Sequence, residues 1–193
     1  MLSFERHGYI KKRSDGRYQL GPRLFQLGKV YERTLDLSET LTPILGELSE
    51  KTGESASFYV VEGQKRVCLL RVESPHAVRV SVRVGSVLPL SDSATGQVIK
   101  RFRVGIDAKT ESTKSHWLCS SSGVGDSLTA SVSAPVFSVD NAFLGAMTIA
   151  GPIPRFDTNN EKVRKLLLSA ATAASRRLGA NMYTESAHLS DAR

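Results

Sequence analysis

Residues 128–152 read "LTASVSAPVFSVDNAFLGAMTIAGP", and this stretch decides the fold of the 193-residue chain. Two β-rich runs flank a turn at residues 139–141, which predicts an antiparallel hairpin. A second hairpin is predicted at residues 55–73, "SASFYVVEGQKRVCLLRVE", with a glycine among its turn residues 62–65. Adjacent hairpins favour an antiparallel sheet with helices packed on it, which is an α+β domain.

Other elements follow from periodicity. Strict alternation of apolar and polar residues in "VRVSVRVG", residues 78–85, predicts another half-buried strand. "DSATGQVIKRF", residues 92–102, predicts a turn that leads into a short helix. Apolar residues at helical spacing predict one helix that ends at Gly53 and a last helix over residues 159–178. The polar segment 105–126 has no clear period.

Small polar residues mark one candidate binding region. Because side chains alternate along a strand, Ser131 and Ser133 share a face, as do Thr148 and Ala150. Residues 93–96, Ser-Ala-Thr-Gly, stand at a predicted helix start, where unpaired backbone amides favour anions. Together these groups could line one polar pocket. The alternative is that each hydroxyl is a structural group bonded within a packed core.

A basic hairpin is predicted near the start of the chain. Residues 9–20 form two short runs around Asp15-Gly16, a strong signal for a tight turn. Residues 1–33 contain eight Lys and Arg against three Asp and Glu, so +5 of the chain's net +7 lies there. Such a concentration indicates an anionic partner, with nucleic acid first, although a solvated charged face is the alternative. The candidate DNA-contacting residues are Lys11, Lys12, Arg13 and Arg17.

Composition excludes several classes of protein. The hydrophobic fraction of 40% and charged fraction of 23% are those of a globular chain. No segment approaches the roughly 18 apolar residues of a membrane span, and Glu5 and Arg6 stand where a signal peptide would be apolar. A soluble cytoplasmic protein is therefore predicted. Two cysteines fit a reducing compartment, and the four scattered histidines give no metal site.

Catalytic motifs are absent from the sequence. It contains no G-x-S-x-G elbow, S-x-x-K, H-E-x-x-H or Walker loop, and no paired carboxylates stand out. We therefore predict that the chain is not an enzyme and needs no cofactor or metal. An enzyme on the same scaffold is the least favoured alternative, because fold alone does not fix function.

Four blocks of the sequence together resemble IclR-type bacterial transcription regulators. "HGYIKKRSDGRYQLG", residues 7–21, is similar to the wing of their DNA-binding domain, and residues 41–74 resemble the start of their effector-binding domain. "VRVGSVLPLSDSATGQ" (residues 82–97) and "VSAPVFSVDNAFLGAMTIAGP" (residues 132–152) resemble the two most recognisable blocks of that domain. The similarity covers roughly residues 5–180.

The resemblance implies a division of the chain into four parts. Residues 1–21 would be the remnant of a winged helix-turn-helix, and residues 22–35 a linker helix that pairs between subunits. Residues 36–180 would be a GAF-like antiparallel sheet flanked by helices that binds a small metabolite, and residues 181–193 a flexible tail. Family members are dimers or tetramers, and most act as repressors or activators.

The resemblance also assigns effector contacts by position. In members that bind small organic acids, the matching backbone amides are those of Ala94 and Thr95. Side-chain contacts fall on Ser131, Thr148 and Ala150, the last without a hydroxyl. No protein-bound metal or cofactor is implied.

Two departures from the family bear on function. Only Met1 to His7 precede the ribbon, so most of the recognition helix is expected to be missing and DNA binding to be weak or partial. The segment between Gly96 and Pro135 is much shorter than in the family, where it contains helices that help to close the pocket. A family acidic contact would also fall on Ser121, and together these differences leave the effector's identity open. The leading reading is a metabolite-sensing transcription regulator. The alternative is a stand-alone metabolite-binding or dimerisation module without specific DNA binding.

Overall fold

The computed structural model describes residues 2–27, 37–104 and 117–181. The chain divides into two compact units, Met1–Glu39 and Thr40–Arg193. The predicted boundary between residues 35 and 36 lies outside the described residues, as does most of the predicted tail.

The first unit contains the predicted basic ribbon. Its elements are α1 (Leu2–Arg6), β1 (Ile10–Lys12), β2 (Tyr18–Leu20) and the helical residues 22–27, here α2. β1 and β2 pair antiparallel, with Ile10 opposite Leu20, which confirms the hairpin. Gly16 makes this turn possible because its φ of +81° is a left-handed conformation that side chains disfavour. Of the predicted linker helix, residues 28–35 lie outside the described residues.

The second unit is built on a six-stranded antiparallel sheet. Its elements in chain order are α3 (Leu37–Thr52), β3 (Ser55–Glu62), β4 (Lys65–Val72), β5 (Val87–Pro89), α4 (Ala94–Phe102), β6 (Cys119–Ser122), β7 (Thr129–Phe137), β8 (Phe143–Pro152) and α5 (Glu161–Arg177). The strand order is β5-β4-β3-β8-β7-β6. Both predicted hairpins are present, and β3 pairs with β8 to join them at the centre of the sheet. The predicted α+β class is confirmed.

Helices pack on the sheet and bury its central strands. β7 has buried residues from Ala130 to Phe137, and both α4 and α5 contact it. One core cluster lies under the end of α4, where the rings of Phe102, Trp117 and Phe137 meet edge to face with centroids 5.5–6.1 Å apart. Such aromatic contacts add specific geometry to a large buried apolar area.

The predicted strand at residues 78–85 is wrong. No strand forms there, but side chains of β3 and β4 hydrogen-bond to this segment at Val80. The Val80 carbonyl accepts hydrogen bonds from the Ser55 hydroxyl (3.2 Å) and the Arg71 guanidinium. Side chains thus satisfy a carbonyl that a strand partner would otherwise bind. The edge strand beside β4 is β5, which follows this segment.

Candidate ligand-binding site

The start of α4 is held in place by its own residues. The Ser93 hydroxyl caps the helix and accepts the Gly96 amide at 3.4 Å. A Cβ on Gly96 would lie 2.1 Å from the Ser91 carbonyl oxygen, so only glycine allows the chain to turn this tightly into the helix. The predicted helix start is therefore confirmed, and its sequence explains its position.

Five side-chain hydroxyls, here called the hydroxyl cluster, gather beneath the first turn of α4: Thr95, Ser121, Ser131, Ser133 and Thr148. The Thr148 Oγ1 atom lies 2.9 Å from Thr95 Oγ1 and 2.7 Å from Ser133 Oγ. These three residues come from α4, β8 and β7 and are all buried. Because Ser133 pairs with Thr148 in register, the two late strands present their hydroxyls on one face.

The other two hydroxyls of the cluster, those of Ser121 and Ser131, lie next to the Ala94 amide at the start of α4. The Ser121 hydroxyl accepts the Ala94 amide at 2.9 Å and lies 3.1 Å from Ser131 Oγ. β6 carries Ser121 and pairs it directly with Ser131. In this conformation, the Ser121 hydroxyl therefore takes the hydrogen bond of the Ala94 amide, the group predicted from the sequence to bind an anion.

The structure brings together four of the five predicted effector-binding residues: Ala94, Thr95, Ser131 and Thr148. Ala150 pairs with Ser131 in register and is half-buried, so it borders the hydroxyl cluster without adding a polar group. Ser121 and Ser133 belong to the cluster as well. The predicted DNA-contacting residues Lys11, Lys12, Arg13 and Arg17 are all exposed in the first unit.

Two arginines of β4 extend this polar face and were not identified from the sequence. Arg71 has a side chain only 3% exposed and donates to the Ser57 hydroxyl at 2.8 Å. Ser57 pairs with Thr148 in register, so the Arg71 cation and the hydroxyl cluster share one side of the sheet. Glu73 Oε1 lies 3.5 Å from Arg71 Nε and balances its charge.

Arg66 lies at the other end of the same strand face. Its Nη1 donates to the Ser93 hydroxyl at 2.5 Å, and its guanidinium carbon lies 5.3 Å from the centroid of the Tyr59 ring. Burial lowers the pKa of the Arg66 guanidinium and raises the pKa of the Tyr59 hydroxyl. The sequence signal that could have revealed both arginines is their position inside a predicted strand among apolar residues.

Residues 2–27, 37–104 and 117–181 contain no group of three His, Cys, Asp or Glu side chains that could hold a metal ion. Within the same residues, no helix has the length and apolar character to cross a membrane.

Comparison with known proteins identifies the domain. Residues 30–113 match the family model "Bacterial transcriptional regulator IclR C-terminal". The chain is 28% identical over 100 residues to the HTH-type transcriptional regulator XynR of Escherichia coli, a match that covers 51% of this chain and 40% of that protein. It is 26% identical over 211 residues to the glycerol operon regulatory protein of Streptomyces griseus, a match that covers 95% of this chain and 83% of that protein.

Solved structures share the fold. A putative IclR transcriptional regulator from Silicibacter sp. superposes with a TM-score of 0.77 at 23% identity, covering 94% of this chain and 82% of that one. An IclR homolog from Microbacterium hydrocarbonoxydans, complexed with 4-hydroxybenzoate, gives a TM-score of 0.70 at 18% identity and covers 92% and 82%.

The fold is shared with these solved structures, and the matched segment is similar to the C-terminal domain of IclR-type bacterial transcriptional regulators. The chain resembles IclR-type transcriptional regulators in sequence and in fold, and the curated relatives that it matches are transcriptional regulators.

Proposed function

We propose that this chain senses a small organic acid at the hydroxyl cluster and transmits binding to a DNA-contacting N-terminal unit. The observation that carries the proposal is the convergence of the Ala94 amide and five hydroxyls at the start of α4. A ligand acid group would replace the Ser121 hydroxyl on that amide, where the helix dipole favours negative charge. The buried hydroxyls of Thr95 and Thr148 would bind the remaining polar groups.

The N-terminal unit supports a DNA contact of limited specificity. The ribbon places Lys11 and Lys12 on β1 in solvent, and a wing of this kind binds phosphates while reading few bases. In this proposal the protein acts in the cytoplasm as a homodimer or tetramer, with α2 contributing to subunit contact. Leu24, Phe25 and Leu27 supply an exposed apolar surface on α2 that a partner helix could cover. Ligand binding would favour one subunit arrangement and so alter DNA affinity.

Replacing Thr148 with valine should weaken effector binding, because valine keeps the shape of the side chain but removes the hydroxyl. The expected loss is about 0.5–1.5 kcal/mol, the usual net value of one hydrogen bond. Isothermal titration calorimetry with small carboxylic acids would measure it, and 4-hydroxybenzoate is the first probe because a structural relative binds it.

Thr129→Val is the matched control for this test. Thr129 begins β7, and its hydroxyl donates to Asp126 in the adjacent loop at 2.9 Å, away from the hydroxyl cluster. The control should bind the acid as the unmodified chain does. Equal weakening by both variants, or none by Thr148→Val, would contradict the proposed site.

Replacing Lys11 and Lys12 together with alanine should flatten the salt dependence of duplex DNA binding. Each cation that contacts a phosphate releases a counterion, so the slope of log affinity against log salt should fall by about 0.9 for each contact removed. Fluorescence anisotropy with a labelled duplex between about 50 and 200 mM salt would measure the slope.

The control replaces Lys162 and Lys165, two exposed cations of α5, and so removes the same net charge elsewhere. This double variant should retain the slope. An identical change in both double variants would assign the effect to overall charge. Sequence-selective nanomolar binding at physiological salt would contradict the limited specificity proposed for the ribbon.

A further inference from the structure

We propose that Arg66 makes the effector site selective for anions: a carboxylate or phosphate monoester binds against its guanidinium, beside the start of α4. The inference rests on the proposed effector site and names the residue that gives this site its preference for anions. Its basis is a half-buried cation that is held by two contacts and has no counter-ion among the described residues.

Two contacts fix the position of the Arg66 guanidinium. Its Nη1 donates to the hydroxyl of Ser93, the cap of α4, and its planar group lies over the Tyr59 ring. Ser93 precedes Ala94, whose amide is the anion position of the hydroxyl cluster. The cation, the helix amide and the cluster therefore belong to one continuous polar region.

Two other arginines of this unit, Arg71 on the same strand and Arg155 in the turn after β8, have carboxylate partners. Arg71 lies 3.5 Å from Glu73, and Arg155 lies 2.5 Å from the buried Glu54. Within the described parts of the chain, no carboxylate lies within ion-pair distance of Arg66. Its Nε atom is buried and has no hydrogen-bond acceptor. One donor of the guanidinium therefore makes no hydrogen bond within the described residues.

The neighbours of Arg66 supply no negative charge. Burial raises the pKa of both the Tyr59 hydroxyl and the Cys68 thiol, so both groups stay neutral near pH 7. A desolvated cation without a counter-ion is costly, and a bound anion would offset that cost. The planar guanidinium of arginine donates two parallel hydrogen bonds to the oxygens of a carboxylate or phosphate. A neutral ligand cannot form this charge-assisted pair.

The test compares acids with their neutral amides on the full chain at constant ionic strength. The probes are 4-hydroxybenzoate, lactate and succinate with the corresponding amides, and glycerol phosphate with glycerol. Calorimetry and thermal shift would be recorded for the unmodified chain, Arg66→Gln, Arg66→Lys and Arg83→Gln. Arg83 is an exposed arginine of the segment before β5 and serves as the matched control.

At least one acid or phosphate should bind the unmodified chain and Arg83→Gln on the order of tenfold more tightly than its neutral counterpart. Arg66→Gln should abolish that difference, and Arg66→Lys should restore part of it. The carboxylate and phosphate arms identify the head group. Without ligand, Arg66→Gln should unfold at no lower a temperature than Arg83→Gln, because it removes a cation that lacks a counter-ion.

Three results would overturn the proposal. The first is that Arg66→Gln still binds acids more tightly than their neutral counterparts. The second is that no probe raises the unfolding temperature of the unmodified chain more than that of Arg66→Gln. The third is a lower unfolding temperature of ligand-free Arg66→Gln, which would make the residue structural. If neutral probes bind and Thr148→Val weakens them without any advantage of the acids, the effector site stands and only the role of Arg66 falls.

Discussion

Replacing Phe137 with alanine should lower the free energy of unfolding by about 3–5 kcal/mol. The Phe137 ring is fully buried at the end of β7 and lies 5.7 Å from Phe102, 5.5 Å from Trp117 and 6.1 Å from Phe143, measured between centroids. Alanine would remove the apolar area that these rings cover and leave a cavity between two strands and α4. Urea denaturation followed by circular dichroism would measure the change.

Leu128→Ala is the control for this substitution because the Leu128 side chain is 69% exposed. Its effect should stay within about 0.5 kcal/mol, as for most surface positions. A loss below about 1 kcal/mol for Phe137→Ala would mean that the aromatic cluster repacks around the missing ring or does not form as described.

Replacing Gly96 with alanine should cost about 1–3 kcal/mol of stability and abolish effector binding. The new Cβ would meet the Ser91 carbonyl oxygen at 2.1 Å, and this atom belongs to the backbone and cannot rotate away. The first turn of α4 would have to move, and the Ala94 amide and Thr95 hydroxyl would move with it. Chemical denaturation and calorimetry on the same preparation would record both effects.

Gly46→Ala is the control, because this second glycine-to-alanine substitution should raise the free energy of unfolding instead of lowering it. Gly46 lies inside α3, where a Cβ would have nothing within 4 Å. Alanine favours the helix over glycine, so this variant should gain about 0.4–1 kcal/mol. If Gly96→Ala were as stable as the unmodified chain and still bound the acid, the tight entry into α4 would not support the site.

The sequence predicted the two long hairpins because local patterns determine them. Turn residues lie between β-rich runs, and Gly63 has the left-handed φ of +58° that its turn position implies. The alternation at residues 78–85 was misleading because the same pattern occurs here in a segment that forms no strand. Side chains of the sheet hydrogen-bond to its backbone instead of a partner strand. The Ser55 hydroxyl that binds the Val80 carbonyl is 25 residues away in the sequence, so no local window of sequence contains this competition.

β6 escaped prediction for a different reason. Its sequence, Cys-Ser-Ser-Ser, has low strand propensity and only four residues, and it forms because β7 offers a partner edge. The effector residues were placed by resemblance, and parity correctly put Ser131 and Ser133 on one face. The contacts that Ser121 and Arg66 make at the start of α4 could not be predicted, since they depend on which strands lie next to this helix.

The pairing of β3 with β8 has a consequence for how the protein is made. Ser55 pairs with Ala150, about half the chain away, so the sheet cannot close during synthesis until β8 has left the ribosome. Until then, the β3–β4 hairpin has an unpaired edge, and long-range pairings of this kind form slowly. Thr148 lies in this last strand, so we expect nascent chains to acquire the complete hydroxyl cluster only after β8 has emerged from the ribosome.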